Sequence, residues 1–175
     1  TGMQFLATPD TSLGTGPLLV GTPNMVFTVN APVDRTIWKN LRYPIQTISL
    51  LQSGPLAPRG LTSVNGDVWF RSTAGYNSFI TARRNFGSTW ANTPMSREVQ
   101  PILDYDDHAL LYYGSGILFD NRFLSTVSPN RQAEVMEVQH RGLLSINFDL
   151  VSDLGSKTAP AWEGIWDCEL FQIFQ

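Results

Sequence analysis

Two stretches of this chain rhyme. Ser63-Val64-Asn65-Gly66-Asp67-Val68-Trp69-Phe70-Arg71 and, about 50 residues later, Leu118-Phe119-Asp120-Asn121-Arg122-Phe123-Leu124-Ser125-Thr126 both run from apolar residues into a two-residue corner and out again as an alternating strand. Asn-Gly and Asp-Asn corners tolerate the positive φ that a tight antiparallel turn demands, so each stretch predicts a β-hairpin. Each hairpin is followed by a further strand-like segment, Ser78–Arg83 after the first and Arg141–Phe148 after the second. A recurring antiparallel meander predicts an all-β protein that forms part of a β-propeller, with about two recognisable blades.

The remaining chain fits this expectation in pieces. Residues 1–17 are rich in Gly, Thr, Pro and Ser and predict an extended arm or loops, ahead of a propeller-like domain over 18–175. Leu18–Val29, interrupted by Gly21-Thr22-Pro23-Asn24, and Ile45–Leu51 read as ordinary sheet strands with turn chemistry between them. Near 93–113 the β rhythm breaks. Thr93 or Ser96 can cap a short helix with Pro94 in its first turn and Val99, Ile102 and Leu103 on its apolar face, and a second short helix can begin near Asp104 or Asp106. This region reads as a helical insertion between blades.

A complete propeller of ~4–8 four-stranded blades needs more chain than 175 residues, and Trp166–Phe174 alternates like a strand up to the last residue, Gln175. The expectation is a fragment of a longer chain, or a protein whose missing blades come from elsewhere.

Charge and composition narrow the partners. With 12 basic and 15 acidic residues the net charge is −3, without the clustered basic face that nucleic acid requires. No apolar run reaches the ~18–20 residues of a membrane span, and the N-terminus lacks a signal peptide's basic start and apolar core, so neither membrane insertion nor secretion by that route is expected. Charged residues make up 15 %, against ~25 % in a typical domain, and a weakly charged, aromatic, turn-rich β protein points to surface hidden in an assembly. The single Cys168, in an alternating apolar segment, reads as a buried small hydrophobe.

Reactive constellations are sparse. Asp104-Tyr105-Asp106-Asp107-His108 has the start of a calcium loop but neither its glycine nor its distal Glu, so these carboxylates are expected to cap helices, and no metal or cofactor is expected. His108 and His140 sit in no catalytic frame, and Gly114-Ser115-Gly116 lacks the spacing of a nucleophile elbow. Glu163 and Asp167, beside Trp162 and Trp166, form the best carboxylate pair for glycoside hydrolysis, although the tryptophans are expected to fill space between sheets. Trp69 is expected in the core. Trp38, Tyr76 and Trp90 are candidate exposed aromatics for stacking on sugar rings or on a partner.

Gly66–Ser72, Ala82-Arg83-Arg84-Asn85-Phe86 with Trp90–Pro94, and Leu118–Arg122 with Thr126-Val127-Ser128-Pro129 resemble propeller-like virion structural proteins of tailed bacteriophages. The likeness extends through Asn24–Trp38 and Trp162–Trp166 and so covers most of the chain. It implies further blades beyond the final strand. Where such proteins carry Asp before Gly in the first blade's turn, this chain has Ala74. The resemblance implies a non-enzymatic, tail-associated virion protein that joins other virion proteins, and further copies of itself, in a symmetric assembly through its arm and loops. The alternative is a receptor- or glycan-binding module at the tail tip, with a glycan-cleaving enzyme ranked last.

Overall fold

Positive φ at the two corners decides where the hairpins fall. In the computed structural model, which describes residues 1–6, 16–30, 34–42, 45–79, 94–127, 142–150, 161–168, 170 and 172–173, Asn65 and Gly66 have φ of 48° and 83°, and Asp120 and Asn121 have 49° and 53°. These are type I′ corners, whose twist matches that of the strands they join. The first joins β5 (Thr62–Val64) to β6 (Asp67–Ser72), pairing Val64 with Asp67; the second joins β8 (Gly116–Phe119) to β9 (Arg122–Val127), pairing Phe119 with Arg122.

The described residues form an all-β framework of three antiparallel sheets, each a simple meander in chain order and none closed on itself. Sheet 1 is β1 (Gly2–Phe5), β2 (Leu18–Thr22), β3 (Met25–Asn30) and β4 (Gln46–Leu51). Sheet 2 is β5, β6 and β7 (Gly75–Ser78); sheet 3 is β8, β9, β10 (Gly142–Asn147) and β11 (Ala161–Asp167). A four-residue helix, α1 (Arg35–Trp38), capped by the Asp34 carboxylate, stands between β3 and β4. The helical insertion lies between β7 and β8. It contains a 3-10 turn at Arg97–Val99, α2 (Gln100–Leu103) with a proline in its first turn, and a 3-10 turn at Leu111–Tyr113.

Several boundaries differ from the sequence reading. Gly2–Phe5, within the stretch expected as arm or loops, pairs with β2 from Gly2↔Gly21 to Phe5↔Leu18. The strand after the first hairpin is Gly75–Ser78 rather than one starting at Ser78, because Thr73-Ala74 turns the chain in two residues and pairs Ser72 with Gly75. The last strand is Ala161–Asp167 rather than Trp166–Phe174; the chain bends after it, with Leu170 N donating to Cys168 O. Cys168 therefore sits past the strand and is half-buried. The sequence pattern singled out two meanders, and sheet 1 is a third.

The sheets stack in chain order, with sheet 2 in the middle. Alternation sends Val68 and Phe70 of β6 to one side and Trp69 to the other. Val68 and Phe70 pack with Leu19, Val26 and Leu51 of sheet 1, together with Leu61 and Phe79. Val64, Trp69 and Tyr76 pack with Phe123, Val127, Leu144 and Ile146 of sheet 3, and Leu103 of the insertion closes this second core. The middle sheet, covered on both faces, has a fully buried β7.

The first strands of the three sheets come closest together: β5 lies against both β1 and β8, and a parallel bridge joins Arg59 to Ser115 just before β5 and β8. This approach leaves no room for a side chain at Gly116, whose Cβ would stand 2.8 Å from Thr62 Oγ1 and 2.9 Å from the Phe123 ring. These two hairpins, β5–β6 and β8–β9, lie side by side, and Asn65 Nδ2 donates to Asn121 Oδ1 at 3.1 Å.

Candidate functional site

Arg71 points from β6 toward the insertion, where its Nη2 donates to Asp106 Oδ2 at 3.1 Å and to Leu103 O at 3.4 Å, with both side chains almost wholly buried. Its guanidinium lies 5.3 Å from the centre of the Tyr76 ring, a cation–π distance. Tyr76 is itself enclosed. Its hydroxyl donates to Ser125 Oγ at 2.7 Å across the sheet 2–sheet 3 interface, and its backbone N–H donates to Ser96 Oγ at 2.9 Å. Burial, partly offset by the Arg71 charge, pushes the phenol up to about 12. Such a phenol stays neutral at ordinary pH and serves as a structural hydrogen-bond donor. The cluster pins the insertion to the sheets.

The second polar cluster is built by a bulge. Between Ser145 and Ile146 the β10–β11 register shifts, Ser145 pairing with Gly164 and Ile146 with Trp162, so Glu163 is the extra residue. A bulge re-aims a side chain. Here it turns the Glu163 carboxylate to accept from Ser145 Oγ and Asn147 Nδ2, each at 2.7 Å, and from Arg122 Nε at 3.2 Å, while Arg122 also pairs with Asp120 at 2.7 Å. Hydrogen bonds from Ser145 and Asn147, helped by the Arg122 charge, hold Glu163 below the usual carboxylate range. A glycosidase's general acid needs the opposite shift. Asp167, its expected partner, ends β11, and its side chain lies outside the described residues.

Glu163 makes an acid-side prediction. Its folded pKa is depressed, so its stabilisation is present above the unfolded value and is lost as pH falls through the folded one. Wild-type unfolding free energy should fall with acidification across the carboxylate range, and Glu163→Gln should flatten that slope. Denaturant titrations at stepped pH check it; parallel slopes for the two proteins would remove Glu163 as the cause.

The candidate aromatic contacts separate. Trp38, the last residue of α1, is 36 % exposed. Tyr76 is 1 % exposed, which corrects its reading as a surface aromatic: in β7 it faces sheet 3 and packs on Phe123 and Trp162. Trp90 lies outside the described residues, as does His140. Trp69 is in the core as expected, and Trp162 packs against it partly buried, but Trp166 is 54 % exposed instead of filling an inter-sheet space. In the aspartate run, Asp107 Oδ1 accepts from Ala109 N at 2.9 Å and so caps the following turn. Asp106 is the buried partner of Arg71 instead of a cap. Among the described residues no group of three could hold a metal ion, and no helix is long and apolar enough to cross a membrane.

What the sequence reading missed is the apolar face at one end of the stack. On the side of sheet 1 turned away from sheet 2, the register gathers Met3, Phe5, Leu18, Val20, Met25, Phe27 and Val29. Met3 and Phe5 are 65 % and 51 % exposed. The side of sheet 3 turned away from sheet 2 is mixed: Phe119 and Trp166 are 63 % and 54 % exposed, Leu124 and Leu143 are buried, and the Arg122–Glu163–Ser145–Asn147 cluster stands beside them. The signal for the sheet 1 face lay in the alternation of Met3 and Phe5 in β1 and in the consecutive apolar run Leu18-Leu19-Val20 of β2, which gives that strand two apolar sides. A polar outer face would have marked a sheet that ends in water. Contiguous apolar patches of this kind mark interaction surfaces. Comparison with protein-family models and with curated proteins finds no match for this chain.

Proposed function

We propose that this protein is a non-enzymatic structural protein of a bacteriophage virion, associated with the tail, whose three meander sheets are propeller-like blades in a symmetric assembly. The observation that carries the assembly reading is the apolar outer side of sheet 1, where Met3 and Phe5 stand more than half exposed, because a self-sufficient β domain turns polar residues outward there. The propeller reading is supported by sequential meanders whose first strands draw together at one edge, the arrangement of blades about an axis. The phage assignment is supported by the resemblance of the hairpin strings described above. The polar clusters favour a scaffold over an enzyme: the Arg71–Asp106 pair is sealed in the core, and the Glu163 carboxylate is occupied by its neighbours. Of the aromatics considered for glycan or receptor binding, Trp38 is the one with described exposure, so the reading as a tail-tip adhesin rests on less.

The test is the particle. Antibody raised against this chain should label purified virions at the tail, and the chain should co-sediment with them. A chain absent from purified particles overturns the proposal.

A further inference from the structure

One short segment of this chain keeps both of its sides in water. Between β3 and β4, Asp34-Arg35-Thr36-Ile37-Trp38-Lys39-Asn40-Leu41-Arg42 is exposed at every position, and α1 within it has no buried residue. Asn40 N donates to Ile37 O at 3.0 Å and Leu41 N to Trp38 O at 3.3 Å, so the helical path runs on past α1. Residues three and four apart on such a path share a side. Ile37, Trp38 and Leu41 therefore form an apolar stripe, 44 %, 36 % and 38 % exposed, and Ile45, just before β4, adds a further exposed apolar side chain. Arg35 and Lys39, four apart, with Arg42 three further on, form a basic stripe beside it. The one acidic residue, Asp34, is engaged in capping, its Oδ1 accepting from Thr36 N and Thr36 Oγ1. An amphipathic turn ordinarily lays its apolar side on its own core. This one leaves it outside.

From this arrangement we infer that residues 34–42 dock the protein on an anionic membrane surface, lying in the interface without crossing the bilayer. Charge selects the occupant. The segment carries three basic residues against one acidic, in a chain whose net charge is −3, so it is the place where a negatively charged surface attracts the protein. Ile37, Trp38 and Leu41 enter the boundary between headgroups and acyl chains, where tryptophan is favoured, and Arg35, Lys39 and Arg42 lay their apolar stems alongside while their charges stay among the headgroups. A planar lipid surface engages both stripes at once. A protein groove that took the apolar stripe would leave the basic one in water, so the pairing of the two favours lipid. The inference goes beyond the virion reading and does not depend on it.

Vesicle flotation of the full chain tests this. The wild type should float with mixed phosphatidylcholine–phosphatidylserine vesicles, stay behind with phosphatidylcholine alone, and be released as salt is raised. Arg35→Ala combined with Lys39→Ala should lower the partition coefficient about 25-fold, about fivefold for each basic residue near an anionic surface. Ile37→Ser combined with Leu41→Ser leaves every charge in place and should abolish flotation, which adsorption through charge alone would not show. Phe119→Ser removes an exposed aromatic from sheet 3 and should float like the wild type. Near-ultraviolet circular dichroism should be unchanged in all three; a pair that alters it is replaced by Lys39→Ala, expected to lose about fivefold, or by Leu41→Ser. A wild type that ignores anionic vesicles, one that floats equally with neutral ones, or an apolar-stripe variant that floats undiminished would each overturn the inference. Retention on polyglutamate beads without flotation would assign the segment to an acidic protein instead, and would overturn it too.

Discussion

Asp106→Ala should destabilise the fold by about 3–5 kcal/mol, the range for breaking a buried ion pair by removing one partner. The cost does not measure an attraction between two charges. It measures what is left behind: an Arg71 guanidinium whose side chain is 9 % exposed and whose Nε and Nη1 have no hydrogen-bond partner among the described residues. Without the carboxylate, Nη2 keeps only Leu103 O at 3.4 Å and the Tyr76 ring face. Whole-domain stability is typically about 5–15 kcal/mol, so such a loss removes a large share of it and should shift the denaturation midpoint well toward lower denaturant. Removing both charges should be far milder. Replacing a buried pair by apolar residues of similar volume is often neutral or stabilising, so Arg71→Met combined with Asp106→Leu should recover most of the loss. Equilibrium urea unfolding of the two single variants and the double variant measures the coupling directly. Equal losses for Asp106→Ala and the double variant would show that the carboxylate acts through something other than Arg71's charge.

The same pair shows where sequence reading stops. The hairpins were legible because their corners advertise themselves: Asn65-Gly66 and Asp120-Asn121 accept positive φ, and alternating residues on either side fix the register. The all-β class and the helical insertion followed from the same local chemistry. Nothing local in the sequence marks Arg71 as buried, since its partner lies 35 positions away on an insertion that has to fold back over the sheet. Tyr76 was misjudged for the same reason; its hydroxyl partner is 49 positions distant. The errors of boundary were local. The bulge at Glu163 breaks the two-residue period inside β11, so alternation looked as though it began at Trp166, where the strand is nearly over. At the other end, Gly, Thr and Pro around Gly2–Phe5 outweighed the alternation of Met3 and Phe5, and with it went the apolar side of sheet 1 turned away from sheet 2.

Phe123→Ala carries the second large effect, about 3–5 kcal/mol, as expected for deleting a buried aromatic whose site cannot collapse. Phe123 is where the two inner sheets hold each other. Its ring lies 5.6 Å from Trp69 and 5.9 Å from Tyr76, the latter edge to face, so one side chain of sheet 3 is gripped by two of sheet 2. Gly116 presses on it from β8 with no side chain of its own to move into the space. For a domain of this size about 1 kcal/mol corresponds to roughly 2–4 °C, so the melting temperature should drop by about 10 °C, with Phe123→Leu falling between. The control is four residues away in the same hairpin. Phe119 belongs to the opposite face and is 63 % exposed, so Phe119→Ala should change the stability of the isolated chain by less than about 0.5 kcal/mol. Two phenylalanines on either side of one corner thus separate the two faces of the same sheet, Phe123 packed between sheets and Phe119 turned to solvent. If Phe119→Ala lowers the melting temperature of the single chain as far as Phe123→Ala does, the outer face is already covered from within and the division between them fails.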